Sequence, residues 1–183
     1  DWSSDVCSSD LLRETGLERD TIIVFASDHG EGLGAHRWAQ KASFYEESLR
    51  VPFFVVGPGV ERGVSDQLAT LTDIVPTLCA LAGIGAPPDM RGVNVLRGAP
   101  REYVVSQLRY GAAEREGRML RSSRYKYVRF NSGARPEQLF DLELDPGETF
   151  NLATGGGTLL ESHRAMLREW MSRTGDGQFS ISR

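Results

Sequence analysis

The sequence predicts an α/β fold, a mostly parallel sheet flanked by helices, followed by a small antiparallel-sheet subdomain that ends in a helix. Three observations predict it. Residues 21–26 (TIIVFA) and 51–56 (VPFFVV) are continuous β-branched and aromatic runs, the pattern of strands buried on both faces in a parallel sheet. Between residues 72 and 83 apolar positions recur at helical spacing. Beyond Pro100 the apolar runs shorten and are separated by Gly, Ser and Pro turns, as in antiparallel sheets.

Taken in order, the chain opens on a Ser-Ser-Asp at positions 3–5 that is repeated at 8–10, with neither a helical nor a strand period. Residues 1–10 therefore read as a non-native segment. Residues 12–17 read as the tail of a helix with Gly16 as a left-handed cap. Residues 11–100 form the predicted α/β part, cut before its earlier strands, and residues 101–183 the smaller subdomain. The run at 21–26 ends in Ser27-Asp28-His29-Gly30, and ligands of open α/β sheets bind beyond the carboxyl ends of strands. A glycine-rich loop at 30–34 leads to His36, Lys41 and a short helix near 44–49. Pro52 confines the second run to a strand start or an edge.

Thr72 and Asp73 predict a capped helix on which Ile74, Val75, Leu78, Leu81 and Ala82 share a face, with Gly83 as its stop. Cys79 reads as a small buried hydrophobe there. Strands follow at 103–108, 119–121, 125–130 and 138–142. A helix at about 159–172 places Leu159, Leu160, His163, Met166, Leu167, Trp170 and Met171 on one stripe, suited to covering that sheet.

Composition narrows the function. A formal net charge of -4 over 183 residues, with no polybasic cluster, excludes the electrostatic footprint of a nucleic-acid or anionic-lipid binder. No apolar stretch approaches a membrane span, and the start shows no basic region, apolar run and cleavage site in succession. Cys7 and Cys79 lie far apart without a CxxC, so neither a disulfide framework nor a zinc site is indicated.

Several residues are candidates for chemistry. Asp28 and His29 would present a carboxylate and an imidazole at the sheet mouth and could hold a metal, although the pair alone also fits a turn cap with a local hydrogen bond. His36 and Lys41 would add donors suited to a tetrahedral oxyanion. Adjacent helical residues do not face each other, so Glu46 and Glu47 read as structural, one of them holding Arg50. Basic and aromatic residues at 118–130 alternate opposite acidic neighbours such as Glu137 and Asp141, which fits cross-strand charge pairing better than a nucleic-acid surface. His163 reads as a packed helix residue.

The stretch TIIVFASDHGEGLGAHRWAQKASFYEESLRVPFFVVGPG resembles the sulfatase family, in which a strand ends in S-D-H-G or S-D-N-G and continues through L-G-x-H and a lysine to Y-E-E-S-x-R-V-P. LTDIVPTLCALAGI resembles the family's D-x-x-P-T-L helix, and RYKYVRF with EQLFDLELDPGETFNLA its C-terminal subdomain. The resemblance implies the alkaline-phosphatase-like α/β fold and a sulfuric ester hydrolase acting on a sulfate-ester small molecule or a sulfated glycan. It implies Asp28 and His29 as metal ligands, calcium being the usual ion and manganese or magnesium the alternatives, and Lys41 and His36 as sulfate contacts. In the family a cysteine or serine in C/S-x-P-x-R becomes formylglycine, whose hydrate attacks sulfur. Cys7 is followed by Ser-Ser-Asp-Leu, without the proline or arginine, so Cys7 is not that nucleophile. The expectation is a C-terminal fragment of a sulfatase, inactive alone. A phosphonate monoester or phosphodiester hydrolase of the same superfamily, or a sulfatase-like binding domain, are the alternatives. Family members make export plausible, but no signal segment supports it here.

Overall fold

A computed structural model of the protein describes residues 8–110, 115–176 and 179. Cys7 and most of segment 1–10 lie outside the described residues. The chain forms two compact units, 1–28 with 51–99, and 29–50 with 100–183. No helix among the described residues is long and apolar enough to cross a membrane.

In the first unit α1 (Ser8–Glu14) precedes Gly16, whose φ of 74° supplies the left-handed stop that the sequence predicts. β1 (Ile23–Ala26) and β2 (Phe53–Val56) pair antiparallel, with Ile23 opposite Val56 and Ala26 opposite Phe53. The direction corrects the expectation of a parallel sheet for these two runs. An uninterrupted apolar run records burial, whereas direction is decided by the connection. Here that connection carries a loop and one helical turn, α2 (Glu46–Leu49), in place of a crossover helix. Phe25 and Phe54 stack at 4.8 Å on the ribbon and stay half exposed.

The helix at 72–83 is a 3-10 turn (Leu71–Asp73) running into α3 (Ile74–Leu81). Its cap is Thr70, in a reciprocal capping box with Asp73. Its buried face is Asp73, Pro76 and Thr77, while Val75 and Leu78 are exposed and Cys79 is half-buried. The apolar stripe is thus not the inner face in this unit. The reason is polar: Asp73 Oδ1 accepts the Val93 N–H at 2.8 Å and Thr77 Oγ1 accepts the Val95 N–H at 3.1 Å, and unpaired groups there would be costly once buried.

The second unit is a four-stranded antiparallel meander of β3 (Tyr103–Tyr110), β4 (Arg115–Ser122), β5 (Tyr125–Phe130) and β6 (Glu137–Asp141), in that spatial order. Period-2 alternation gives it two different faces. One carries Leu120, Tyr127 and Leu139 against Leu160 and Leu167 of α4 (Thr158–Thr174), the cover that the sequence predicts. His163 is buried on α4, its Nδ1 2.8 Å from Leu159 O and its ring edge-on to Tyr125, a packed helix residue. Leu159 lies at the rim, partly exposed. Tyr127 donates to Glu137 Oε1 at 2.5 Å and Arg164 Nε donates to the same atom at 2.7 Å. The Arg164 hydrogen bonds hold the Glu137 carboxyl below its usual range. Arg129 opposes Glu137 across the strands at 3.5 Å, the charge pairing expected of this segment.

The other face carries Met119 and Val128 against Phe44, which comes from the segment 29–50. Gly117 permits that contact, since a Cβ there would lie 2.5 Å from Phe44 Cε2.

Candidate functional site

Asp28 follows β1 in the first unit and is exposed; His29, half-buried, opens the second. His29 Nδ1 lies 2.8 Å from Gly30 O. Donation of an Nδ1–H to that carbonyl would leave the ring lone pair on Nε2, the tautomer in which imidazoles held by a backbone carbonyl ligate metals. The Gly30 N–H donates to Ser48 O at 2.9 Å, and a Cβ on Gly30 would stand 1.9 Å from Glu47 O. Only glycine lets the loop close on α2 at this point.

Inside the closed loop, His36 and Arg37 have φ of 51° and 59°, a left-handed backbone that costs about 1–3 kcal/mol per residue and persists where the surroundings enforce it. The His36 ring lies flat on Tyr45, with centroids 3.6 Å apart and planes 3° apart, and its Nε2 is 3.6 Å from Glu47 Oε2. Lys41 is exposed on the same loop. His29, His36 and Lys41 lie along one loop of the chain, and within it His36 is in direct contact with Tyr45 and Glu47.

Beneath the loop lies a group that sequence reasoning missed. Lys126, the second residue of β5, is fully buried. Its Nζ donates to Phe44 O at 2.8 Å and pairs with Glu46 Oε1 at 2.7 Å and Glu148 Oε1 at 2.8 Å. Glu148 Oε2 in turn accepts the Glu46 N–H, the first of α2, at 2.7 Å. Glu46 also faces Arg121 at 3.7 Å. Its main partner is thus Lys126, and Glu47 faces His36, so neither carboxylate of the pair takes the expected role of holding Arg50; a buried ammonium needs its counter-charges far more than an exposed guanidinium does. Burial pushes the Glu148 carboxyl above its usual range even with Lys126 beside it. Burial, then the Glu148 charge, raises Tyr45 as well. The available signal was a lysine between two tyrosines at an inward register of a strand.

Two donor sets bear on a metal. His36, Glu47 and Glu148 bring ligand atoms within 4.8 Å of one another, but the Lys126 ammonium already neutralises Glu148, so this cluster is an ion-pair hub. Asp28 and the Nε2 of His29 offer one oxygen and one nitrogen. A hard cation taking six to eight ligands would require more oxygens than these two residues offer.

The sulfatase family profile matches residues 9–84, a span that includes β1, Asp28, His29, the whole loop and α3. The chain belongs to the sulfatase family. It is 39% identical to a Delta 4,5-hexuronate-2-O-sulfatase of Bacteroides thetaiotaomicron over 93% of this chain and 38% of that protein. The solved structure of a 2-O GAG sulfatase superposes with a TM-score of 0.84 at 36% identity, over 94% of this chain and 41% of the other. A phosphonate monoester hydrolase from Silicibacter pomeroyi superposes at 0.73 and 28% identity, over 91% and 37%. The chain thus spans about two-fifths of the length of these sulfatase-like proteins. Its α/β architecture with an antiparallel C-terminal sheet and terminal helix is theirs.

Proposed function

We propose that this sulfatase-family chain carries one flank of a sulfate-ester hydrolysing site. Asp28 and His29 would contribute to a divalent-cation site, calcium in the first instance, and Lys41 and His36 would contact the sulfate. The observation that supports the reading is the family loop itself: Asp28-His29 directly after β1, His29 Nδ1 2.8 Å from Gly30 O, and the Gly30–Ser48 hydrogen bond that closes the loop on which His36 and Lys41 also lie in sequence. A bound cation would draw charge from the sulfate oxygens. The chain's own groups would orient that ester through Lys41 and through His36, the latter held against Tyr45 and Glu47 before the charge develops.

The substrate class we infer is a sulfated, uronate-containing saccharide. The support is the likeness to a hexuronate 2-O-sulfatase and to a 2-O GAG sulfatase. A cavity of about 170 Å³ with Trp38, Tyr45, Phe130 and Arg115 in its walls supplies aromatic surfaces and a guanidinium, groups suited to a sugar ring and an anion. The C/S-x-P-x-R segment that yields formylglycine in the family is absent from the 183 residues, so we infer that this polypeptide alone turns over no sulfate ester.

The test is turnover of an aryl sulfate and of a 2-O-sulfated uronate disaccharide, with and without chelator, by the 183-residue chain and by a protein in which it is joined to a segment carrying that motif. Chelator-sensitive hydrolysis by the joined protein only is expected. Turnover by the chain alone overturns the inactivity, and no turnover by the joined protein overturns the site. The likeness to a phosphonate monoester hydrolase supports a second reading, in which aryl phosphonate is cleaved faster than aryl sulfate in the same assay.

A further inference from the structure

We propose that Lys126 and Glu148 are positioning residues for the site loop, acting through the segment 44–47 on His36; the proposal rests on the reading of that loop as a sulfate site. Three partners of the Lys126 ammonium lie on two segments: Phe44 O and Glu46 Oε1 on the loop, and Glu148 Oε1 on the turn after β6. Glu148 completes the arrangement by accepting the first N–H of α2. Phe44 and Glu46 are therefore both pinned, and the residue between them is Tyr45, on whose face the His36 ring lies. The next residue, Glu47, holds the other side of His36 through Nε2.

Two features show that the arrangement is more than a way of satisfying a stray charge. Glu148 is itself held at a φ of 50°, and His36 and Arg37 carry the same strained backbone. Strained non-glycine residues persist where neighbours over-determine them, and they gather at sites where a side chain must be aimed. A fully buried lysine on a sheet face is also costly to keep against an apolar residue of similar volume. What it accomplishes here is specific: a single rigid strand fixes the orientation of the His36 ring. Lys126 and Glu148 touch no substrate in this scheme.

The experiment compares the 183-residue chain with its Glu148→Gln, Lys126→Met and Lys126→Met/Glu148→Gln variants by proton–carbon NMR of the histidine rings. In the wild-type chain the His36 ring protons are expected to be displaced upfield by the stacked Tyr45. Each folded variant is expected to lose that displacement, while His163, packed by α4 on the opposite face of the sheet, keeps its own. His36 signals that stay in place in a folded variant overturn the proposal, and so do His163 signals that move equally. If no variant folds, the pair is a foundation of the sheet with no particular role for the loop, which also overturns it. In the joined protein, Glu148→Gln is expected to lower kcat by about a hundredfold with KM changed much less. Absence of aryl-sulfate turnover in the wild-type joined protein refutes the functional reading and leaves the NMR result to decide the positioning.

Discussion

The two faces of the β3–β6 sheet are covered in opposite ways. Under α4 the centre is apolar, with Leu120, Tyr127 and Leu139 meeting Leu160 and Leu167, flanked by two ion pairs, Glu137 with Arg164 and the buried Arg118 with Asp176. Under the loop a small apolar cluster of Phe44, Met119 and Val128 borders a buried ammonium with two carboxylates. The centre of the helix face is held by area removed from water, which tolerates small displacements, with the ion pairs at its two sides. The loop face is held by directed charge-assisted contacts, which do not. A cover that must only stay attached is built the first way, and one that must hold an imidazole in a set orientation the second.

The sharpest way to break this contrast is to remove the ammonium. Lys126→Met strands Glu46 and Glu148 and is expected to cost about 3–5 kcal/mol in urea unfolding, with part of the loss recovered in Lys126→Met/Glu148→Gln. Equal stabilities of the single and double variants would show that the charges were not coupled. On the helix face, Leu120→Ala leaves a void under α4 and is expected to cost about 2–5 kcal/mol. The same denaturation series should leave the His36 ring signals in place, since no loop contact is lost.

Protonation separates the faces by sign. Glu137 is held low by Arg164, so its contribution is complete above the unfolded carboxyl value and disappears as pH falls through the folded one. Glu148 is held high by burial, so it takes up its proton earlier in the folded chain, and its contribution is present at low pH and lost as pH rises through the folded value. The stability gap between wild type and Glu137→Gln should therefore shrink on acidification, whereas the gap to Glu148→Gln should shrink on going towards neutral pH. Parallel slopes in the two titrated unfolding series would contradict the assignment. The smallest effect belongs to Leu159→Ala, about 0.5 kcal/mol or less, because that side chain is partly exposed at the rim of α4; a change as large as that of Leu120→Ala would move the rim into the core.

Legibility followed the same division. Period-3.6 and period-2 patterns report apolar burial, so α4, its stripe and the four C-terminal strands were readable from residues such as Leu160, Leu167, Tyr127 and Leu139. The helix stop at Gly16 and the packed role of His163 were readable for the same reason. The antiparallel pairing of β1 with β2 was not, since Ile23–Ala26 and Phe53–Val56 look alike in either direction. On α3 the pattern favoured Val75 and Leu78, but hydrogen bonds from residues 93 and 95 to Asp73 and Thr77 turned a different face inward.

By itself the sequence determined the family, through the ordered run from Asp28-His29 to Tyr45-Glu46-Glu47-Ser48, and with it the candidate residues Asp28, His29, His36 and Lys41. It also determined which helix covers the C-terminal sheet. Only the tertiary structure decided that Lys126 and Glu148 hold the loop. The physical reason is distance along the chain: Lys126 meets Phe44 across 82 positions and Glu148 meets Glu46 across 102. Local periodicity and spacing carry no record of which remote charges a fold will bury together.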